Sequence, residues 1–198
     1  MNLKFLYTTG IAIIASAFIF SCSNDTTSTY SDNTETEEAM SKMDSSKLAL
    51  RDFIVEAASD GTMEIKLARM AYSRTEILAL KEMTADIIED RQIAQDQLED
   101  VAHAFGWKIP SKLKADHQDK IDQMKDVAKG DFEEMYLNHI IEDHKKDIDD
   151  YMDAFEKGEE TYSDSNTKKL LKWINETIYT IEEHMEEAKE IKKQMMNS

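Results

Sequence analysis

"FEEMYLNHIIEDHKKDIDDYMDAF", residues 132–155, decides the fold. Its apolar residues return every three or four positions, the pattern of a helix that buries one face. Placed at 100° per residue, Leu137, Ile140, Ile148, Tyr151 and Phe155 form one stripe, His144 falls near its centre and Asp143 on its edge. A helix with such a stripe needs partners to cover it. A histidine on the stripe is either a packed, hydrogen-bonded core residue or a ligand.

The flanks mark this helix off. Asp131 with Glu134 has the form of a capping box at its start, and Gly158 is expected to end it. The same periodicity predicts a first helix over about 47–73, a second over about 76–105 closed by Gly106 and Pro110, a shorter one over about 112–128 stopping at Gly130, and a last one from Ser165 or Asn166 to about Met195. Four helices of this length cannot hide their stripes singly and pack as a bundle. Short connections join the first two and the last two as antiparallel hairpins, with the short helix in the long connection between the second and third long ones. The expected fold is all-α, a ferritin-like four-helix bundle with that extra helix; a plain up-down bundle is the other topology open.

On the other stripes, Leu50, Ile54, Ala57, Ala68 and Tyr72 point inward from the first helix with Glu64 on the flank. Leu80, Ile87, Ala94, Leu98 and Phe105 do so from the second, and Ile174, Ile178, Ile181 and Ala188 from the last, with His184 beside them. Arg91 falls well inside the second stripe and Asp90 at its margin. A charged residue on a core stripe is rarely without a partner. Glu64, Arg91, His144 and His184 all lie near the midpoints of their helices, at a height where they can meet in one layer. His103, His117 and His139 read as surface or boundary residues.

Four stretches taken in order, "FIVEAASDGTMEIKLA" (53–68), the W-x-I-P turn at 107–110, "FEEMYLNHIIEDH" (132–144) and "IEEHMEEA" (181–188), resemble the domain-of-unknown-function 4142 family of exported bacterial proteins, which is similar in fold to ferritins. The likeness covers nearly all of 47–195, and its order and spacing carry it, not any one motif. The resemblance implies an acid at Glu64, an Asp-His pair in the second helix, a second such pair at Asp143-His144 and a histidine at His184. It brings no activity. This chain departs from the pattern in the second helix, where the pair is Asp90-Arg91. Arginine stays protonated and ligates no metal. The divalent-metal set left to a ferritin-like reading is Glu64, Asp143, His144 and His184, with a cation beside it; Arg91 is expected to pair with Glu64 or Asp143 instead.

The amino-terminal 46 residues read differently. Lys4 precedes an apolar run over about 11–20, too short to span a bilayer and suited to the core of an export signal. "IFSC" then ends on Cys22, the single cysteine, and resembles the lipobox of bacterial lipoproteins. The expected organisation is a lipoprotein signal over 1–21, an acidic disordered tether over 22–46 and the bundle over 47–198. Cys22 is the expected lipidation site and so the link to a membrane; two or three acyl chains make such attachment stable. Ser23 after it, by resemblance to sorting rules in double-membraned bacteria, favours the outer membrane.

The formal net charge is −17; the leader holds one base and no acid, so from Cys22 onward the charge is −18. Such a surface repels phosphate backbones, which excludes nucleic acid as a partner and leaves cations or proteins. Catalytic signatures are lacking: no phosphate loop, no visible Ser-His-Asp or Cys-His arrangement, the single cysteine being assigned to the anchor, and Ile at positions 141 and 181 where the Glu-x-x-His motif of di-iron proteins needs Glu. Twelve methionines raise Cu(I), which soft thioethers select, but only Met40 and Met43 make an M-x-x-M pair, and Met70, Met83, Met135 and Met152 read as bundle packing. The sequence thus points to a non-enzymatic, lipid-anchored binding or structural module with no cofactor. A divalent-metal binder of the ferritin-like kind is the alternative.

Overall fold

The computed structural model describes residues 33–161 and 163–197; side chains are described from Ser45, Thr161 excepted. The segment expected to be an export signal, Cys22 and the first part of the expected tether lie outside these residues, and so do the side chains of Met40 and Met43. Five helices make up the described chain: α1 (Asn33–Arg74), α2 (Leu78–Ala104), α3 (Ala115–Asp126), α4 (Phe132–Thr161) and α5 (Ser165–Met196). The fold is an all-α bundle of four long helices with a short fifth.

Two boundaries differ from the sequence reading. α1 begins at Asn33, well inside the segment assigned to the tether. That segment lacks aliphatic residues but not helix formers, and "NTETEE" sets three glutamates in the first turns, where the helix dipole favours negative charge. α4 does not stop at Gly158, which is helical and buried. A Cβ there would lie 2.7 Å from Leu171 Cδ2 of α5, so this glycine serves close helix approach and not chain reversal. Gly106, by contrast, does turn the chain after α2, with φ 73°. At the start of α5, Asp164 accepts from the backbone N–H groups of Asn166 and Thr167.

The buried positions follow a stricter repeat than 100° per residue. The seam of α4 runs Leu137, Ile140, His144, Asp147, Tyr151, Ala154 and Gly158, with Phe132, Tyr136 and Asp143 buried beside it, and that of α5 runs Thr167, Leu170, Ile174, Thr177, Ile181, His184, Ala188 and Ile191, with Trp173 buried beside it. These steps alternate three and four, the heptad pattern of bundle seams. A straight 3.6-residue projection drifts by about 20° per heptad from it. The drift explains each misplaced residue. Ile148 and Ile178 are only half-buried and Asp147 and Thr177 take the seam; Ala71 is buried and Tyr72 is 50% exposed. Ala94, Phe105 and Phe155 are half-buried, and Met135 and Met152 face solvent.

Chain direction follows from what each helix packs. One apolar cluster joins Leu67 and Ala71 late in α1, Leu80 and Met83 early in α2, Phe132 and Leu137 early in α4 and Ile191 late in α5. The other joins Leu50 and Ile54, Leu98 and Ala102, Tyr151 and Ala154, and Leu170 and Ile174. Hence α1 and α5 run one way, α2 and α4 the other, and the chain from α2 to α4 crosses the length of the bundle. α3 lies in that crossover. Its start is tied to α1 through Ser59, whose Oγ accepts from the Lys114 backbone N–H and lies 2.8 Å from His117 Nδ1. Its end is tied by Arg74, which donates to the carbonyls of Met124 and Val127 and lies over the Phe132 ring. His117 is therefore a buried docking residue and not a surface one.

Candidate functional site: a charged layer between two apolar clusters

Between the two clusters every long helix contributes polar groups: Asp60 and Glu64 from α1, Arg91 from α2, Asp143, His144 and Asp147 from α4, and Thr177 and His184 from α5. All are buried. Thr177 is satisfied within its own helix, donating to the Trp173 carbonyl. The charged groups need partners across the bundle, since an ion taken out of water without one is costly.

At the centre, Arg91 Nε lies against Glu64 Oε2, and His144 Nδ1 is 3.1 Å from the other carboxylate oxygen, Oε1. Glu64 and His144 are fully buried and Arg91 is 3% exposed. Burial alone would raise the Glu64 pKa, but the charge of Arg91 and the contact with His144 outweigh it and hold this carboxyl well below the usual carboxylate range. Arg91 is held charged by the same pairing. His184 turns aside to α2, with Nε2 donating to Asp90 Oδ2 at 3.1 Å. Its ring centroid lies 5.9 Å from that of His144. Burial, together with the charges of Arg91 and His144, pushes the His184 pKa down.

Asp143 meets neither Arg91 nor His184. Its Oδ1 accepts from Lys120 of α3, and its Oδ2 faces His139 one turn back at 3.8 Å. The same side of the layer holds two residues that the sequence reading missed, Asp60 and Asp147. Asp60, Glu64, Asp143 and Asp147 each place a carboxylate oxygen within 4.8 Å of the others'. Burial, added to by the Glu64 charge, raises the Asp60 pKa well above its ordinary value and pushes that of Asp147 up to about 7. Each pairs with an acid four residues away on its own helix, Asp60 with Glu64 and Asp147 with Asp143, a spacing that stacks side chains on one face. That spacing was the readable signal; the heptad drift concealed it.

The ligand set that the family resemblance implies is thus split. Glu64 and His144 touch, Asp143 sits in the carboxylate group, and among the described residues His184 joins no group of three ligand atoms within 4.8 Å. His144 does share a group of three with Glu64 and Asp147, but the Arg91 guanidinium lies on the other oxygen of Glu64 and repels a second cation there. Elsewhere, His117 Nε2 lies 3.3 Å from Glu56, so Ser59, His117 and Glu56 form a serine-histidine-acid chain of contacts. Ser59 is 7% exposed and accepts a backbone N–H. This chain of contacts docks α3, with the hydroxyl engaged by the Lys114 backbone N–H and by His117.

No curated protein and no solved structure matches the chain. A family model described as "Domain of unknown function (DUF4142)" matches residues 33–191, from the first residue of α1 almost to the end of α5. With a match that takes in all or most of every helix, the chain belongs to the domain-of-unknown-function 4142 family.

Proposed function

We propose that this protein is an exported, lipid-anchored helical bundle of the cell envelope that acts by binding and not by catalysis. The observation that carries the non-catalytic part is Arg91 on Glu64. The layer where a ferritin-like bundle assembles its metal chemistry is closed here by a guanidinium, which has neither ligand capacity nor a titratable proton at ordinary pH. The crossover from α2 to α4 supports the ferritin-like topology. The anchor rests on "IFSC" and Cys22, and the strongly acidic chain supports cations or proteins as what is bound, never nucleic acid.

Two measurements test this reading. Cys22→Ala is expected to release the protein from membrane fractions or to block its processing, while intact mass of the membrane-bound native form shows acylation; an unmodified Cys22 in the membrane fraction refutes the anchor. Native protein is expected to bind Zn²⁺ or Fe²⁺ weakly through its histidines, whereas Arg91→His, which restores the family's residue, creates that affinity. Tight Zn²⁺ binding by native protein, lost in His144→Gln and His184→Gln, refutes the closed layer.

A further inference from the structure

The carboxylates on the α1–α4 side of the layer have a surplus of negative charge. Four acids converge there. Among the described residues Arg91 meets Glu64, Lys120 meets Asp143 and the nearby Lys146 meets Asp150, which leaves Asp60 and Asp147 without an ion pair. They are also short of hydrogen bonds. The Oδ2 atoms of Asp60, Asp143 and Asp147 are buried without a hydrogen-bond partner, in side chains 6%, 8% and 8% exposed. Buried carboxylate oxygens left in this state need a counter-charge or a proton.

The three aspartates line one crevice between α1, α3 and α4, while Glu64, whose charge is spent on Arg91, does not. The crevice has a volume of about 30 Å³, which exceeds the roughly 10–15 Å³ that one water-sized occupant requires. Lys120, 39% exposed, stands at its rim and reaches in to Asp143. The three aspartates offer only oxygens, which suit hard cations and not the softer metals that histidine and sulfur select, and the one imidazole on the crevice, His117, is taken up by Ser59 and Glu56. One carboxylate oxygen of each aspartate lies within 4.8 Å of the others, close enough for one ion to bridge them. A crevice with room for little more than one water-sized occupant suits calcium, which takes carboxylates directly, better than magnesium, which keeps several waters.

We propose that Asp60, Asp143 and Asp147 form a binding site for a hard divalent cation such as Ca²⁺ in the crevice between α1, α3 and α4, with Lys120 as the competing ammonium on Asp143 and Lys146 a second ammonium on the same crevice. One such ion supplies the two positive charges that Asp60 and Asp147 lack, and water completes its shell from the crevice mouth. Binding also clamps α1 to α4 across the layer. The proposal names a ligand for the binding role above, yet needs neither the lipid anchor nor the histidines.

The test is thermal unfolding of the full chain, stripped with EDTA, against added CaCl₂ at constant ionic strength. The expected result is a melting temperature that rises with Ca²⁺ in a saturable way, with a Kd roughly in the 10⁻⁴–10⁻³ M range of extracellular modules. Asp60→Asn and Asp147→Asn keep side-chain shape and are expected to fold, yet to weaken the response at least about tenfold, as loss of support at a metal site does. His184→Gln should leave it unchanged. A native protein indifferent to millimolar CaCl₂ overturns the site and assigns the two aspartates protons instead. An equal response in Asp147→Asn overturns it too, as mere charge screening. Failure of the reading in the preceding section shows separately, as Zn²⁺ binding that depends on His144 and His184.

Discussion

Between α1 and α2 the middle of the bundle sets Glu64 against Arg91, acid on base, both out of water; between α1 and α4 it sets Asp60 near Asp147, acid near acid, at nearly the same depth. Burial raises the carboxyl pKa in all three cases. On the first side an adjacent guanidinium reverses that effect and Glu64 stays ionised. On the second nothing reverses it, and Asp60 and Asp147 shift upward. The contrast shows that burial alone does not decide what a core carboxylate does. The neighbouring charge decides, so one side of the layer is a closed ion pair and the other is open to a ligand.

The largest expected effect comes from breaking the closed side. Arg91→Met strands Glu64 as an unpaired buried charge, which costs on the order of 3–5 kcal/mol, read as a lower midpoint in denaturant unfolding. Replacing both partners by neutral groups of similar shape removes the stranded charge as well, so Glu64→Gln combined with Arg91→Met is expected to recover most of that loss. If the double variant were as unstable as the single one, the arginine would matter for packing and the electrostatic contrast would fail.

The same change of charge on the open side is expected to act with the opposite sign. In EDTA, Asp147→Asn removes an acid that has no cation, and the protein should become more stable by roughly 1–3 kcal/mol above neutral pH. The folded-state pKa of about 7 lies above the ordinary 3.8, so between these values the folded chain holds a proton that the unfolded chain has lost. Stability from this group is therefore full below about pH 4, falls as pH rises and is gone above about pH 7. The gain from Asp147→Asn should grow over that window and vanish at its acid end. Denaturant unfolding of both proteins across the window checks it, and a gain that did not vary with pH would mean that Asp147 is already paired.

The closed side was legible in the sequence and the open side was not, for a definite reason. Glu64, Arg91, His144 and His184 sit near the midpoints of the helices expected from the sequence, and a residue's height along a helix is unaffected by the drift between the 3.6 and 3.5 repeats. Their meeting in one layer could be read without coordinates, as could Glu64 as a partner for Arg91 and four of the five helices to within a few residues. Asp147 sits one step from Ile148, which a straight projection favours for the core, and only the heptad seam gives the acid the inward place. Asp60 lay beside the stripe, and its signal was the i, i+4 spacing to Glu64. Lys120 and His117 were beyond reach for another reason. They come from α3, whose placement against α1 and α4 depends on the path of a long crossover and not on any periodicity.

The smallest expected effect separates the two cations of the layer. Arg91 and Lys120 each meet one carboxylate, but Arg91 is 3% exposed and Lys120 is 39% exposed at the rim of the crevice. A half-exposed ammonium keeps much of its hydration and gains little from its partner, so Lys120→Met is expected to change stability in EDTA by no more than about 1 kcal/mol. In CaCl₂ the variant should do better than the native chain, because Asp143 is released from a competing charge. Melting temperatures with and without Ca²⁺ report both effects at once. A loss as large as that of Arg91→Met would show that the open side relies on its lysine as the closed side does on its arginine, and the distinction between them would collapse.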